Sequence, residues 1–268
     1  MSLTIKISTD ELNKAKGIDF FWELHNNRKE SVSQLVFPSV HTDLIFVING
    51  KFFVNEVNVE KPFISPVLSA WKTIKLTEGA RVFGVRLKPN FLFQLIDHEL
   101  SELKQKPNLM TDLVPDFLYR LLFEGIVDDN LCFEARVDNF KKIAIQPINS
   151  DRSSDNDTIS IGLNLLKNNP CLTIKEIADH LGYSDRWIQN LFKVQVGLSP
   201  SKVTQILRFN KTIELLKQKP IVNLTHISYE AGYYDQSHLI KEFRKFTSST
   251  PKTYQKHMPD FIKIMNGF

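Results

Sequence analysis

A chain of 268 residues is longer than a single hydrophobic core usually supports, so about two domains are expected. Its 42% hydrophobic and 24% charged residues match a folded globular protein, so disorder is not the default over most of the length. The formal net charge is only +4.

The sequence suggests neither export nor membrane insertion. Its start, MSLTIKISTDELNKAKG, lacks the apolar run and cleavage site of a secretory signal, and no stretch approaches the roughly 18 consecutive apolar residues of a spanning helix. The two cysteines, Cys132 and Cys171, suggest no disulfide framework and do not stand at metal-ligand spacing. We expect a cytoplasmic protein with no membrane partner and no bound metal.

The first ninety residues are predicted to be rich in β-strands. Asn49-Gly50 favours a two-residue hairpin, because both turn positions adopt positive φ. In the last strand-like run, Phe83, Val85 and Leu87 alternate with their neighbours, which predicts one core-facing side. The β-branched or aromatic runs cover residues 33–37, 43–48, 51–54 and 81–88.

Beyond Pro89 the apolar residues recur at helical spacing, first over 91–96 and again over 117–122. The polar run NSDRSSDND at 149–157 then has the composition of a linker. The sequence therefore predicts an α+β protein. A β-rich domain with trailing helices covers 1–148, and an all-α domain covers 158–257.

Charge is distributed unevenly between these two parts. Residues 158–258 carry 14 Lys or Arg against 7 Asp or Glu, whereas residues 1–157 carry 19 against 22. The basic part is the one to test for binding to a polyanion, although a solvated basic face would give the same count.

The second domain contains a helix-turn-helix pattern over 173–193. Ala178 permits two helices to cross closely, Gly182 fits a left-handed turn after the first helix, and Ser184 fits the N-cap of the second. The predicted interior positions at and after the turn are Tyr183, Trp187, Ile188, Leu191 and Phe192.

The same pattern recurs over 223–246, with Ser228 as the small residue and Gly232 at the turn. The next helix buries Leu239 and Phe243, each one position further from its glycine than its counterpart in the first unit. This predicts a turn one residue longer. Residues 200–217 between the units are predicted to form one helix, so that the units form a pseudo-dimer within one chain.

Residues 158–257 resemble the DNA-binding domain of the AraC/XylS family of transcription regulators. The supporting motifs are IA at 177–178, LGYS at 181–184, LFK at 191–193, GLSP at 197–200, AGYYDQSH at 231–238, FRKF at 243–246 and TP at 250–251. The chain departs from the family pattern at Ser228, where alanine is usual, and at Ser248-Ser249, where a glycine is usual. The resemblance implies a sequence-specific regulator and leaves activation and repression open.

The family geometry implies that the second helix of each unit enters the major groove, at two points roughly 34 Å apart on one face of the DNA. Arginine pairs with guanine, and Asn or Gln with adenine, through two hydrogen bonds. The candidate base-reading residues are Arg186, Gln189, Asn190, Gln236, Ser237, His238 and Lys241. The candidate phosphate contacts are Lys193, Lys202, Arg208, Arg244, Lys245 and Lys252. Taken singly, each is explained equally well as an exposed polar side chain.

The N-terminal domain resembles the sensor domains of one lineage of AraC-type regulators, through FP at 37–38, DLIF at 43–46 and VFGVRLKP at 82–89. The resemblance implies a barrel-like or cupin-like body that binds a small-molecule effector, mediates dimerisation, or does both. The candidate effector-binding residues are Trp22, Phe46, Trp71, Arg81 and Arg86. Core packing of the aromatic residues and a surface position of the arginines explain the same set.

Two other interpretations of the N-terminal domain stay open, namely a metal-dependent cupin-type enzyme and a pure dimerisation module. The enzyme would need closely spaced His and carboxylate ligands, whereas His25, His41 and His98 are scattered. Neither cysteine stands in a nucleophile motif, so we expect no enzymatic activity and no cofactor.

The expected partners are double-stranded DNA, a small-molecule effector, the transcription machinery and a second copy of the chain. In this hypothesis, effector binding or a change in the dimer alters how the two recognition helices are presented. The linker and the helices before it would be the only covalent route for that change.

Overall fold

The computed structural model describes residues 3–9, 17–96, 98–144, 153–218 and 223–256, with side chains throughout these ranges except at 89–90, 153–157 and 256. As predicted, the N-terminal part is built mainly from strands and the C-terminal part from helices. The strands are β1 (Leu3–Ser8), β2 (Ile18–Asn26), β3 (Val32–Val36), β4 (Thr42–Asn49), β5 (Phe52–Val54), β6 (Val57–Val59), β7 (Phe63–Ser65), β8 (Lys72–Leu76), β9 (Arg81–Leu87) and β10 (Asn108–Leu109).

The strands form two antiparallel sheets that pack against each other. One has the order β1-β2-β9-β4-β7-β10 and the other the order β3-β8-β5-β6. Between them lies a core that includes Phe20 and Leu24 from the larger sheet and Phe52 and Leu76 from the smaller one. Burial of these apolar side chains is the main force that joins the two sheets.

The larger sheet is buried on both faces, which corrects the expectation that β9 has a single core-facing side. Phe83, Val85 and Leu87 contact the helices that follow the sheet, while Val82 faces the smaller sheet. Gly84, on that second face, lies against Trp22, so closely that an added Cβ would stand 2.0 Å from the indole.

The predicted hairpin at Asn49-Gly50 is wrong. Strand β4 pairs with β7 and β9, whereas β5 pairs with β6 and β8, so this turn carries the chain from one sheet to the other. Only Gly50 has a positive φ, and it lies against Ala80. The two-residue hairpin is the β5–β6 turn, where Asn55 and Glu56 both adopt positive φ, at 46° and 64°.

The helices are α1 (Pro89–Leu95), α2 (Asp116–Ile126), α3 (Phe133–Ala144), α4 (Ser153–Asn168), α5 (Ile174–Leu181), α6 (Asp185–Val196), α7 (Pro200–Gln218), α8 (Leu224–Glu230), α9 (Gln236–Thr247) and α10 (Pro251–Lys256). Because α4 begins at Ser153, residues 153–157 of the predicted linker are helical, and residues 149–152 lie outside the described ranges. None of the described helices has the length and apolarity needed to cross a membrane.

Helices α1 to α3 cover the outer face of the larger sheet. Arg136 on α3 is completely buried, and its Nη1 donates to Glu23 Oε2 on β2 at 2.9 Å. Its remaining guanidinium nitrogens donate to the carbonyl oxygens of Ile126 and Asp128 at 3.0 and 2.7 Å. A buried charge needs such complete pairing, so this cluster fixes α3 on the sheet.

The two domains touch directly. The Phe37 ring, which follows β3, packs edge to face on Phe209 of α7 and on Tyr254 of α10, with centroids 5.6 Å apart in each case. At a second contact, Gly197 after α6 approaches the backbone of Leu100 so closely that an added Cβ would lie 2.7 Å from its carbonyl oxygen. The linker is therefore not the only physical route between the domains, since packed side chains provide another.

Candidate DNA-binding surface and effector cavity

The first helix-turn-helix unit consists of α5, a short turn and α6. Thr173 and Glu176 form a capping box at the start of α5, and Gly182 ends the helix at φ 76°. Ser184 then accepts a hydrogen bond from the Trp187 backbone N–H at 3.3 Å and begins α6. These local caps explain why the chain turns at the predicted positions.

The second unit repeats this arrangement with a longer turn. Asn223 caps α8, Gly232 adopts φ 82°, and Asp235 caps α9 by accepting from the His238 backbone N–H at 2.7 Å. Helix α9 starts four residues after its turn glycine, whereas α6 starts three residues after Gly182. The extra residue in the turn is present as predicted.

The two units also touch each other. Gly232 lies against Pro170 and Cys171, from the loop that precedes α5. Arg208 on α7 donates from Nε to the Pro170 carbonyl oxygen at 3.0 Å. The orientation of one unit relative to the other is thus held by side chains as well as by helix α7.

Most of the predicted base-reading residues lie on one exposed polar surface per unit. On α6 the exposed residues are Arg186, Gln189 and Asn190, and on α9 they are Gln236, Ser237 and Lys241. Hydrophobic residues on the opposite sides, such as Ile188 and Leu239, hold both helices in the core.

His238 is placed differently from the other six. Its side chain is about a third exposed, its ring packs edge to face on Tyr233 with centroids 5.3 Å apart, and Nε2 lies 3.5 Å from Glu242 Oε1. These contacts fix the imidazole beside the turn, which leaves only part of it for a ligand.

The predicted phosphate contacts divide into exposed and structural residues. Lys202 is half-buried, with its ammonium 4.8 Å above the Phe246 ring, and burial lowers its pKa. Arg208 is half-buried and bonded to Pro170. Both therefore stabilise the helical domain. The exposed candidates are Lys193, Arg244, Lys245 and Lys252.

Tyr183 is not in the core, in contrast to the prediction. Its side chain is 42% exposed, and its ring stacks on Trp187 at 3.8 Å with an interplanar angle of 11°. At the start of the first recognition helix, Tyr183 is thus exposed while Trp187 packs partly against the core.

The N-terminal domain contains a cavity between its two sheets. The cavity is partly open to solvent, and the space within it and its mouth together is about 630 Å³. Of the predicted effector-binding residues, Trp22 and Arg86 line it. The other lining residues include Leu24, Phe37, His41, Asp43, Phe52, Phe63, Leu68, Lys72 and Ile74.

The other three effector candidates do not line this cavity. Phe46 is buried against Phe83 on the helical side of the sheet, and Trp71 is partly exposed. Arg81 lies beside a separate polar crevice and forms an ion pair with Asp129 at 3.2 Å. His25 lines the same crevice, where burial and Arg81 lower its pKa.

Most polar groups in the cavity already have partners. Arg86 is buried, not at the surface as the alternative reading held, and its Nε and Nη2 donate to the two Asp43 oxygens at 3.1 and 3.0 Å. Trp22 Nε1 also donates to Asp43, at 3.1 Å. His41 lies 3.0 Å from both Ser39 Oγ and Asp19 Oδ2, and burial lowers the pKa of its imidazole.

Besides Asp43, sequence reasoning missed the cavity residue Lys72. It is 6% exposed, and desolvation lowers its pKa to about 8. The signal is the run KTIKL in β8, where alternation places Lys72 on the same face as Ile74 and Leu76. Within the described ranges, no three His, Cys, Asp or Glu side chains come together as potential metal ligands.

Two family models match separate parts of the chain. Residues 177–257 match a model described as a helix-turn-helix domain, and residues 15–107 match one described as a domain of unknown function. The second match covers most of the β-rich domain.

Two curated relatives match parts of the chain. The histidine kinase P4 of Formosa agariphila is 24% identical over 140 residues, which is 51% of this chain and 10% of that protein. The uncharacterised HTH-type transcriptional regulator YdeC of Bacillus subtilis is 29% identical over 85 residues, which is 32% of this chain and 29% of that protein. The chain thus spans less than a third of either relative.

Among solved structures, ToxT from Vibrio cholerae matches 85% of this chain and 98% of its own length, with 12% identity and a TM-score of 0.47. A Chromobacterium violaceum regulator described by its AraC-type DNA-binding domain matches 39% of this chain and 94% of its own length, with 25% identity and a TM-score of 0.36.

Proposed function

We propose that this chain, whose residues 177–257 form a helix-turn-helix domain of the AraC type, is a transcription regulator that binds specific DNA sequences. The observation that carries the proposal is the pairing of α6 and α9, two capped helices that each follow a glycine turn and expose polar side chains. One such helix is common in proteins, whereas two on one rigid connector match two successive segments of major groove.

The exposed residues have the chemistry that base recognition requires. Arg186 on α6 is suited to the two acceptors of guanine, and Gln189, Asn190 and Gln236 to the donor and acceptor of adenine. The exposed cations Lys193, Arg244, Lys245 and Lys252 are assigned to phosphates, and their role is to set register and affinity rather than sequence.

The test is selection from a randomised DNA duplex pool at fixed salt by the purified protein, followed by sequencing of the retained fraction. We expect an enriched motif with two segments about one helical turn apart. Arg186→Ala should relax one segment and Gln236→Ala the other, at a cost of about 1–3 kcal/mol each. Arg28→Ala, at an exposed site in the N-terminal domain, is the matched control and should leave the motif unchanged. Retention without any enriched motif would contradict the proposal.

The proposed regulatory input is the cavity of the N-terminal domain. Phe37 lines that cavity and also contacts Phe209 in the helical domain. A ligand that displaces Phe37 would therefore act on the packing beneath the recognition helices. Such a ligand shifts DNA affinity only to the extent that it binds the two arrangements differently.

We also propose that the chain forms a homodimer through the exposed face of α2. Phe117, Leu121 and Phe123 are 61%, 49% and 41% exposed, which is unusual for three large apolar side chains on one helix. Arg120 and Glu124, also exposed, stand one turn apart on this helix. A second copy packed antiparallel would bring each arginine near the glutamate of the other copy, so the face is self-complementary.

In this proposal the remaining partners are the transcription machinery and double-stranded DNA, and the site of action is the cytoplasm, where the DNA is found. We assign no enzymatic reaction to the chain. The carboxylate of Asp43, the one acidic side chain assigned to the cavity, is engaged by Arg86 and Trp22 and is thereby held in place as a structural group.

A further inference from the structure

Lys72 occupies an unusual position for a lysine. It begins β8, where Lys72, Ile74 and Leu76 are buried toward the opposite sheet, while Thr73 and Lys75 lie on the more exposed face. Its side chain lines the cavity together with Ile74. Because a strand places alternate residues on opposite faces, the position of Lys72 in β8 directs its cationic side chain to the interior.

The Lys72 ammonium has no hydrogen-bond or ion-pair partner among the described residues, in contrast to the other charged groups of the cavity. Arg86 and Asp43 neutralise each other through two hydrogen bonds. With a pKa of about 8, Lys72 still carries its proton for most of the time at neutral pH. An unpaired ammonium on a largely buried side chain is costly, and an anion in the cavity would reduce that cost.

The other residues that line the cavity indicate what the uncharged part of such a ligand should be. Leu24, Phe52, Phe63 and Leu68 provide apolar and aromatic surface. A single unpaired cation fits a single negative charge, since a phosphate dianion would leave one charge unpaired among these residues.

We propose that the cavity binds a small amphipathic monocarboxylate, whose carboxylate pairs with Lys72 and whose apolar body lies against Leu24, Phe52 and Phe63. This inference rests on the proposed regulatory function and specifies the chemical class of its effector. It also gives Lys72 a role that packing alone does not explain.

The experiment compares 4-phenylbutyrate with 4-phenylbutanol, which share the apolar body and differ in the carboxylate. Binding to the full chain is followed by calorimetry and by tryptophan fluorescence, because Trp22 lines the cavity whereas Trp71 and Trp187 lie outside it. A charge-assisted hydrogen bond in a buried site should make the carboxylate bind about tenfold or more tightly than the alcohol. Lys72→Met should abolish this preference, whereas Lys75→Met, on the opposite face of the same strand, should preserve it.

Equal binding of acid and alcohol, a preference that survives in Lys72→Met, or no binding of the acid at millimolar concentration would each overturn the inference. Thermal unfolding of every variant shows whether it is folded. DNA selection with the same preparations separates the two proposals. Specific DNA binding without carboxylate binding refutes only the effector class, and carboxylate binding without a DNA motif refutes only the regulator.

Discussion

The rings of Phe37 and Phe209 pack edge to face, with centroids 5.6 Å apart, and connect the wall of the cavity to the core of the helical domain. Phe209 in turn lies 5.4 Å from the ring of Phe243 on α9. Only one aromatic side chain therefore separates a cavity residue from the second recognition helix.

Replacing Phe37 by leucine should weaken communication between the cavity and DNA more than it weakens the fold. We expect the free energy of unfolding to fall by about 1–2 kcal/mol, because two aromatic contacts are lost while most of the apolar volume stays. The ratio of DNA affinities with and without 4-phenylbutyrate should move toward one. Phe53→Leu, on the outer side of the smaller sheet next to Lys75, is the control. An unchanged ratio in Phe37→Leu would show that coupling runs elsewhere.

Alanine substitutions at two glycines with positive φ measure how much the contact between the domains contributes to stability. Gly182 and Gly197 have similar φ values, 76° and 80°, but only Gly197 faces the Leu100 carbonyl. Gly182→Ala should cost about 1 kcal/mol through backbone strain alone. Gly197→Ala should cost about 1–3 kcal/mol more, because the new methyl group overpacks the contact. Urea unfolding provides both values, and equal losses would mean that the domains separate readily.

The buried ion pair between Arg136 and Glu23 should be strongly sensitive to loss of one partner. Arg136→Met leaves the Glu23 carboxylate without its cation and should cost about 3–5 kcal/mol in denaturant unfolding. The double variant Glu23→Leu, Arg136→Met should recover part of this loss, since no buried charge remains. Arg28→Met at an exposed site should change stability by less than about 0.5 kcal/mol. If the double variant is no more stable than Arg136→Met, the loss of stability comes from packing and not from the unpaired carboxylate.

Lys72→Met should stabilise the ligand-free protein at neutral pH. The folded-state pKa of Lys72 is lowered to about 8, below its unfolded value of 10.5, so the unfolded state binds more protons between these values. Its contribution to stability is therefore unfavourable below pH 8 and disappears as the pH rises toward 10.5. Of the neighbouring cavity groups, Asp43 and Arg86 pair with each other, and burial lowers the pKa of His41 below 6.5, outside this window.

The measurement is urea unfolding of wild type, Lys72→Met and Lys75→Met from pH 7 to pH 10. At pH 7, Lys72→Met should exceed wild type by about 1–3 kcal/mol, and this difference should shrink above pH 8. A constant difference across the range would contradict the assigned titration. Lys75→Met corrects for general effects of removing a lysine.

Leu121→Glu should separate the proposed dimer into monomers. It places a like charge one turn from Glu124 and beside Phe117 on the exposed face of α2, where a second copy would have to cover it. Sedimentation equilibrium should then show a large rise in the dissociation constant. Ile161→Glu, at a 46% exposed apolar residue on α4, is the matched control. If wild type is monomeric at high concentration, the proposed interface is refuted.

The helix-turn-helix units were predictable because their signals are local. Caps such as Ser184 and Asp235, and the left-handed glycines 182 and 232, act within a few residues, so the sequence alone places the turns. Periodicity predicts Tyr183 in the core, because it does not show that Trp187 offers this ring a stacking partner at the surface.

Sheet pairing was less predictable, since partners lie far apart in the chain. Asn49-Gly50 has a strong hairpin composition, yet burial sends β4 and β5 into different sheets. The cavity residues come from seven strands, β2 to β5 and β7 to β9, and only the tertiary fold brings Trp22, Asp43 and Arg86 together. The alternation in β8 would have pointed to Lys72 from sequence alone.

The extra residue in the turn before α9 makes the two recognition helices non-equivalent within one rigid domain. If each helix binds its own segment of the major groove, the protein binds an asymmetric site in a single orientation along the duplex. Inverting a site in the DNA would then carry the N-terminal domain to the opposite flank without changing a single base contact. The orientation of the DNA site would therefore determine on which side of it, relative to a promoter, the N-terminal domain lies.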